Sequence, residues 1–449
     1  MSMLNSLPVN WLNRPYIDLG DSNIGAFHLY GIEFNYCNLV SEKPINAGPV
    51  HHNIQVNLPP SFRESLLRET GLLQYQVKNP LELPTELRTE RWHKLCEYLT
   101  HYQELQSFTK FRVISLLKSL CLDEAVLEYV PEMSASEIAQ DPILAALAFS
   151  RSMCSLMINL DSGTLQNLSE LELIANYAPS GTQTKFSAAL QLVVQYAKTF
   201  RNLAKAEYWR EIATQELKNL KLFLDEFTYT RLQSIYYRAV VFVPLIKNER
   251  AQVIQEMDLS ESYGNRLISI ASNDNEKIVA DENLNIVFES RTKEALWLGD
   301  IDLAEERSQK LTQMDKLDPR YRLELGEIYI KQGKIAAAAQ MYRSAARLGP
   351  PGTEIAWFMA GQCHEQLGEI DIACDCYLAA IQIDQLAISA VERLHKLAPR
   401  LGDLALTQWS NIRLSELREQ QEIIADQPTT SYIPEASSEL KKAAETIMV

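Results

Sequence analysis

Glycine and proline are scarce in this chain, with 16 and 18 among 449 residues. A disordered or β-rich chain usually contains more of both, whereas 46% of these residues are hydrophobic. The sequence therefore predicts a folded, mostly helical protein with a substantial core. Its length suits two or three ordinary domains or one long solenoid.

Paired cysteines are also lacking, because the seven cysteines are scattered and no CxxC pair occurs. Most lie within apolar helical patterns, where a thiol packs as a small hydrophobic group. Cys374 and Cys376 would point about 200° apart on a helix, so we expect them to pack in a core rather than chelate a metal. This usage favours a reducing compartment over a disulfide framework.

Targeting and membrane-spanning segments are not evident in the sequence. Residues 1–14 have neither the charged start nor the apolar run of a signal peptide. The longest apolar stretch, residues 239–246, is interrupted by Pro244 and is far short of the ~20 residues that span a bilayer. We expect a cytoplasmic protein with no membrane partner.

Basic patches and common catalytic motifs are absent as well. The formal net charge is −15, and Lys and Arg alternate with Asp and Glu along the helical patterns, so we expect no nucleic-acid partner. The GxGxxG, GxxxxGK[ST], HExxH and GxSxG patterns do not occur in their required contexts. The sequence thus favours a protein that is not an enzyme, without catalytic residues.

Histidines offer two candidate metal-binding clusters. His93, Glu97 and His101 are spaced to share one helix face, but the outer imidazoles would be about 12 Å apart along a helix, too far to share one ion. His51 and His52 are adjacent, so in an extended chain their side chains point apart. Surface or packing roles are therefore expected, with no metal and no cofactor.

Four regions follow one another along the chain. Residues 1–60 are rich in proline, and Ala26 to Phe34 alternates as a short strand does, which predicts an irregular or β-containing segment. Residues 61–279 show successive long helical patterns with short links, as in antiparallel helix pairs. Aromatic residues in that region are expected to be mostly core, with an aromatic ligand pocket as an alternative. Residues 421–449 are expected to form a flexible tail with a short terminal helix, which could dock in the protein's own groove.

Residues 280–420 contain a repeat. Gly299, Gly333, Gly368 and Gly402 recur at intervals of 34, 35 and 34 residues. The first three are followed, five residues later, by an alanine: Ala304, Ala338 and Ala373. Such a constant offset indicates stacked helical hairpins.

These hairpins resemble the tetratricopeptide family, which uses small residues, aromatics, a turn glycine and a closing proline at fixed places. Residues 319–350 supply Gly326, Tyr329, Gly333, Ala338, Tyr342, Ala345 and Pro350. Residues 354–385 supply Trp357, Gly361, Gly368, Ala373, Tyr377 and Ala380. His364 stands where the family usually has an aromatic, and the units around Gly299 and Gly402 match less closely. The resemblance implies an all-α solenoid ending in tetratricopeptide-like repeats.

The resemblance also implies a binding face. The family forms its inner, concave surface from the first helix of each hairpin, and alignment to the glycines places there Lys293, Leu296, Arg320, Leu323, Glu327, Lys331, Phe358, Gln362 and Glu365. This face would mix charges with one exposed aromatic, Phe358, and would suit an extended peptide or a partner's helix. The residues that some members use to clamp a C-terminal carboxylate are absent.

Three functions remain open from the sequence. The first is a non-catalytic scaffold or adaptor that binds a protein or peptide partner through the repeats, with a homo-oligomer left open. The second is an enzyme or an accessory subunit whose active portion lies in residues 61–279. The third is a regulator that senses a small molecule in the aromatic middle of the chain.

Overall fold

The computed structural model describes residues 26–40, 78–161, 168–349, 352–384 and 386–425, apart from residues 84 and 89. The described residues form two compact units, 26–315 and 316–425, and neither unit contains a described β-strand. Consecutive helices pack against one another within each unit. The predicted all-α fold built from helix pairs is therefore confirmed, while the boundaries predicted at residues 60, 279 and 420 stay predictions.

The first unit has fourteen described α-helices. They are α1 (Ala26–Val40), α2 (Glu90–Thr100), α3 (Ser107–Ser119), α4 (Asp123–Tyr129), α5 (Ala135–Gln140), α6 (Pro142–Asp161), α7 (Ser169–Tyr177), α8 (Gln183–Val194), α9 (Leu203–Leu220), α10 (Glu226–Val240), α11 (Phe242–Lys247), α12 (Arg250–Ile270), α13 (Asp274–Leu298) and α14 (Ile301–Met314). Short 3₁₀ turns at Pro80–Glu82, Thr85–Leu87 and Tyr102–Glu104 and a π-helical turn at Gln195–Thr199 complete it.

The second unit has six described α-helices. They are α15 (Pro319–Lys331), α16 (Ile335–Leu348), α17 (Thr353–Leu367), α18 (Ile370–Ile383), α19 (Ile388–Leu397) and α20 (Leu404–Ala425). A 3₁₀ turn at Ala398–Leu401 separates the last two. Buried residues of α16 to α20 form one hydrophobic cluster that extends from Ala338 to Leu417, and Leu323, Tyr329 and Ile330 of α15 pack against it.

Side-chain caps explain where several helices begin. The side chain of Asn202 accepts a hydrogen bond from the Lys205 amide at the start of α9, and Asp225 does the same for Thr228 at the start of α10. Ser134 and Glu137 form a reciprocal capping box on α5. Each cap satisfies amide groups that the first helical turn leaves unpaired, so these boundaries are encoded locally.

Two clusters make up most of the first unit's core. One joins α1 to α4 with part of α6, and the other joins α5 to α11. Helix α6 contributes Leu147 and Cys154 to the first cluster and Ala145 and Leu156 to the second, so it is packed on two sides. Burial on two sides agrees with the strongly apolar sequence of α6.

The strand predicted from Ala26 to Phe34 is wrong, because these residues belong to α1. Ile32 and Leu39 are buried at a seven-residue spacing, which places both on one side of a helix facing the first cluster. The aromatics Phe27 and Phe34, which form part of the apparent alternation, are half-buried on this helix. Residues 1–25 and 41–60 of the predicted irregular segment lie outside the described residues, as does the tail from residue 426 onward.

Pro244, which interrupts the apolar stretch at residues 239–246 in the sequence, lies close to a break between two helices. The structure has two helices there, α10 and α11, with Pro244 in the first turn of the second. Proline has no amide hydrogen, so this position suits a first turn and not a helix interior. In the described part of the chain, no helix combines the length and the apolar character that a bilayer crossing requires.

Candidate functional site

The four glycines that set the repeat period occupy equivalent structural positions. Gly299, Gly333 and Gly368 follow the first helix of a pair, and Gly402 follows the 3₁₀ turn after α19. Their φ angles are all positive, at 83°, 72°, 79° and 70°. This left-handed conformation is strained for residues with a side chain, which explains glycine at each turn. Ala304, Ala338 and Ala373 are fully buried in the following helices.

Close helix approach depends on two further glycines in the second unit. A β-carbon at Gly326 of α15 would lie 2.8 Å from Cε1 of Tyr342 on α16. A β-carbon at Gly361 of α17 would lie 2.7 Å from Cε1 of Tyr377 on α18. Each hairpin therefore packs a tyrosine ring against a bare backbone, which fixes the orientation of its first helix and so of the residues on its other sides.

Helix α15 carries four of the residues predicted for the binding face, and none of them is buried. Leu323 is half-buried. Glu327 and Lys331 are exposed and form an ion pair one turn apart at 2.8 Å. Arg320 is partly exposed, and its Nη2 donates to Asp318 Oδ2 at 2.8 Å. Asp318 was not among the residues predicted from the sequence, although an aspartate before a helix-opening proline is a signal for a cap. Asp318 both caps α15 and holds the guanidinium of Arg320.

Helix α17 carries the other predicted residues of this unit, and here the expected exposure is wrong. Phe358 is fully buried, with its ring 5.7 Å from that of Tyr377. Gln362 is only 3% exposed. The ring of Phe358 packs in the same hydrophobic cluster as Tyr377 of α18, the second helix of its hairpin, so Phe358 does not lie at the surface.

The amide of Gln362 has no hydrogen-bond partner at either its oxygen or its nitrogen. One turn further along α17, Glu365 is half-buried and accepts a hydrogen bond from the Tyr377 hydroxyl at 2.8 Å. Arg393 of α19 lies 3.4 Å from the same carboxylate. This part of α17 thus holds one fixed carboxylate and, one turn away, one amide with unused donors and acceptors.

The remaining predicted residue, Lys293, belongs to α13 in the first unit. It is exposed and forms an ion pair with Glu289 one turn earlier on the same helix. Leu296 lies on the same helix and is half-buried. Both residues therefore belong to the first unit.

Family models for the tetratricopeptide repeat match residues 293–353 and 355–385. Residues 293–385 are tetratricopeptide repeats. The predicted resemblance of the C-terminal third is confirmed by these matches, by the glycine turns and by the tyrosine–glycine contacts within the hairpins.

Comparison with solved structures finds other helical proteins at low sequence identity. The crystal structure of MamA is 18% identical, with a TM-score of 0.30, over 39% of this chain and 95% of that one. The human IFIT1 dimer with m7Gppp-AAAA is 12% identical, with a TM-score of 0.35, over 96% and 95%. The Cut9–Hcn1 hetero-tetramer of the APC/C is 13% identical, with a TM-score of 0.25, over 85% and 91%. Among curated proteins, none matches the sequence at a significant level.

The candidate metal ligands are not brought together in the described part of the chain. His93 and Glu97 are exposed on α2, but that helix ends at Thr100, so His101 does not continue the same face as the sequence had implied. Glu97 pairs with Lys94 at 2.7 Å, and His101 with Glu104 at 3.6 Å. No group of three or more metal-binding side chains occurs among the described residues. His51 and His52 lie outside them.

The cysteines of the repeat pack in the core, as predicted. Cys363, Cys374 and Cys376 are each at most 2% exposed. Burial raises the pKa of Cys363 and of Cys376 to about 12 and that of Cys374 to about 11, so the reactive thiolate is scarce at neutral pH.

The aromatic residues of the middle helices are only partly core. Tyr196, Trp209 and Tyr236 are buried, whereas Tyr208 and Phe223 are 53% and 71% exposed. The expectation that the set is mostly core therefore holds for some members and fails for others, because α9 ends in a turn that carries Phe223 to the surface.

Proposed function

We propose that this protein is a non-catalytic scaffold or adaptor that binds a polypeptide partner through the inner face of its tetratricopeptide repeats. The observation that carries the proposal is the pair of hairpins α15–α16 and α17–α18. In each hairpin a tyrosine ring packs against a glycine of the first helix, and α15 presents charged side chains that are accessible to solvent. The proposed contact residues in this unit are Arg320, Glu327, Lys331, Gln362 and Glu365, and the predicted Phe358, which is fully buried, supports them from the core.

The charges of this face favour a partner segment that carries both signs. Arg320 and Lys331 are cationic, and Glu327 and Glu365 are anionic, so neither a purely acidic nor a purely basic segment would be matched throughout. The distance along α15 from Arg320 to Lys331 is about 16 Å by helix rise. An extended segment of about five residues would cover this distance. Charges at the rim of a binding site contribute more to the choice of partner than to the strength of binding.

Gln362 supplies the polar group that the fold itself does not use. A buried amide with neither atom paired costs about 1–3 kcal/mol per unmet group. Both amide atoms are buried, so the proposal requires the Gln362 side chain to turn outward on binding, where its amide would engage a donor and an acceptor of the partner's main chain together. Phe358 contributes indirectly, since its packing against Tyr377 supports the backbone that carries Gln362.

Selection from a random peptide library tests this function. Peptides of about 12 residues are long enough to span the face of α15, and they would be displayed on phage and selected on the immobilised full-length chain. We expect enrichment of peptides with mixed charge, whose affinity is then measured by fluorescence anisotropy. If no sequence family is enriched over an unrelated helical protein treated in parallel, peptide recognition by this chain is contradicted.

The other expectations stay predictions. They are the cytoplasmic location, the absence of a nucleic-acid partner and the homo-oligomer. The enzyme or accessory subunit and the small-molecule regulator stay hypotheses for residues 61–279.

A further inference from the structure

Helix α20 carries apolar side chains on two opposite sides. The buried side faces the hydrophobic cluster of the second unit and includes Trp409, Leu414 and Leu417. On the other side, Leu404 and Ile412 are 77% and 50% exposed, and the exposed Gln408 lies between them. Intervals of four residues place these three side chains along one face of the helix. We call Leu404, Gln408 and Ile412 the outer stripe.

An apolar outer stripe is unusual on the last helix of a repeat array. Each repeat buries its apolar surface against its neighbours, so the outer face of a terminal repeat is expected to be polar. Complete burial of a leucine or isoleucine side chain contributes up to roughly 3 kcal/mol. No described helix follows α20 along the chain to provide that burial. The outer stripe therefore has the composition of a face on which one more helix packs.

The chain that follows α20 contains a segment with matching apolar spacing. Residues 426–449 come directly after Ala425, the last residue of α20. Within them, Leu440, Ala444 and Met448 recur at intervals of four residues. On a helix these three side chains would share one face, with the same spacing as the outer stripe.

The segment between α20 and this stretch, residues 426–436, is long enough for the chain to fold back. By helix rise, Ile412 lies about 20 Å back from Ala425 along α20. The segment would span about 18 Å as a flexible coil and about 34 Å as a polyproline helix. Tethering over such a distance gives an effective concentration on the order of millimolar. A second copy of the chain at micromolar concentration therefore competes poorly with the tail for the outer stripe.

We propose that residues 437–448 form a helix that runs antiparallel to α20 and packs on the outer stripe. In this arrangement Leu440 lies against Ile412, and Met448 lies against Leu404. The tail then completes the second unit and covers the end of the repeat array, which closes that end to association with a second copy. The proposal concerns α20 only, so it does not depend on peptide binding by α15 and α17.

Tryptic cleavage after Lys441 and Lys442 tests whether the tail is docked. A protease cleaves only the open form of a docked segment, so the cleavage rate reports the open population. The full-length chain and a synthetic peptide of residues 426–449 are digested in parallel, and the released fragments are quantified by mass spectrometry. We expect cleavage in the full-length chain to be at least about tenfold slower than in the peptide. Equal rates would overturn the proposal.

Dependence on protein concentration distinguishes docking within one chain from docking on a second copy. At constant trypsin concentration, protection by the chain's own tail should be the same from about 1 to about 100 µM protein, because the tether fixes the effective concentration. Protection that increases over this range would indicate that the tail docks on a second copy, and the proposal would then be wrong.

A pair of matched variants assigns the protection to the outer stripe. Leu404→Asp should accelerate cleavage at both lysines about tenfold, and an aspartate in the first turn of α20 leaves that helix stable. Leu222→Asp is the control, because Leu222 is 81% exposed in the first unit. Its cleavage rate should stay within about twofold of the wild-type rate. Equal acceleration by the two variants would contradict the assignment.

A double variant tests the proposed contact itself. Met448→Asp should accelerate cleavage as much as Leu404→Asp does. The chain that carries both changes should be cleaved no faster than either single variant, because both remove the same contact. Additive effects would show that the two side chains act separately and would overturn the proposed arrangement. Circular dichroism confirms that each variant is folded.

Discussion

Gly361 lies against the ring of Tyr377, so closely that a β-carbon on residue 361 would come within 2.7 Å of Cε1. The same relationship recurs between Gly326 and Tyr342 in the preceding hairpin, at 2.8 Å. A bare backbone opposite an aromatic ring lets the two helices of a hairpin approach closely. The two contacts hold the first helices, α15 and α17, in the orientation that presents the proposed binding face.

Substitution of Gly361 by alanine should destabilise the protein. The added methyl group cannot be accommodated at 2.7 Å from the Tyr377 ring, which is buried and cannot move aside. We expect a loss of about 1–3 kcal/mol in the free energy of unfolding, from overpacking, measured by urea denaturation. Gly31→Ala is the control, because nothing lies within 4 Å of a β-carbon there. That control should stabilise α1 by up to about 1 kcal/mol, and similar effects of the two changes would contradict the account.

Glu282→Gln should raise stability at neutral pH. Burial raises the pKa of Glu282 in the folded protein above its ordinary value of 4.5, so the folded state holds this proton more tightly than the unfolded state does. The contribution of Glu282 is therefore most favourable at low pH and is lost as the pH rises through the folded pKa. Thermal melts should show a higher Tm for the variant at pH 7 and a smaller difference near pH 4. A difference that does not change with pH would contradict this.

Gln362→Leu should separate stability from binding. Replacing an unpaired buried amide by an apolar side chain of similar size should raise the free energy of unfolding by about 1 kcal/mol. It should also weaken binding of the selected peptides, because leucine offers neither a donor nor an acceptor to the peptide main chain. Gln366→Leu is the control on the same helix, at an exposed position where little change in stability is expected. Loss of stability in Gln362→Leu, or unchanged peptide affinity, would argue against this role of the amide.

The repeat could be predicted from the sequence because its determinants are local. A turn glycine needs only its own backbone conformation, and Gly299, Gly333, Gly368 and Gly402 all adopt it. The starts of α6 at Pro142 and of α15 at Pro319 are also encoded locally, since proline favours the first turn of a helix. By contrast, the burial of Phe358 depends on what packs around α17. Position within a hairpin does not specify such tertiary contacts.

The most direct test of binding by the repeats compares Lys331→Glu with Arg347→Glu, using peptides selected on the wild-type chain. Both change an exposed cation to an anion, but Lys331 lies on the proposed face of α15 and Arg347 on α16, the second helix of the same hairpin. The dissociation constant should rise at least about tenfold for Lys331→Glu and stay within about twofold for Arg347→Glu. Equal dissociation constants for the two variants would contradict the assignment of the inner face as the binding site.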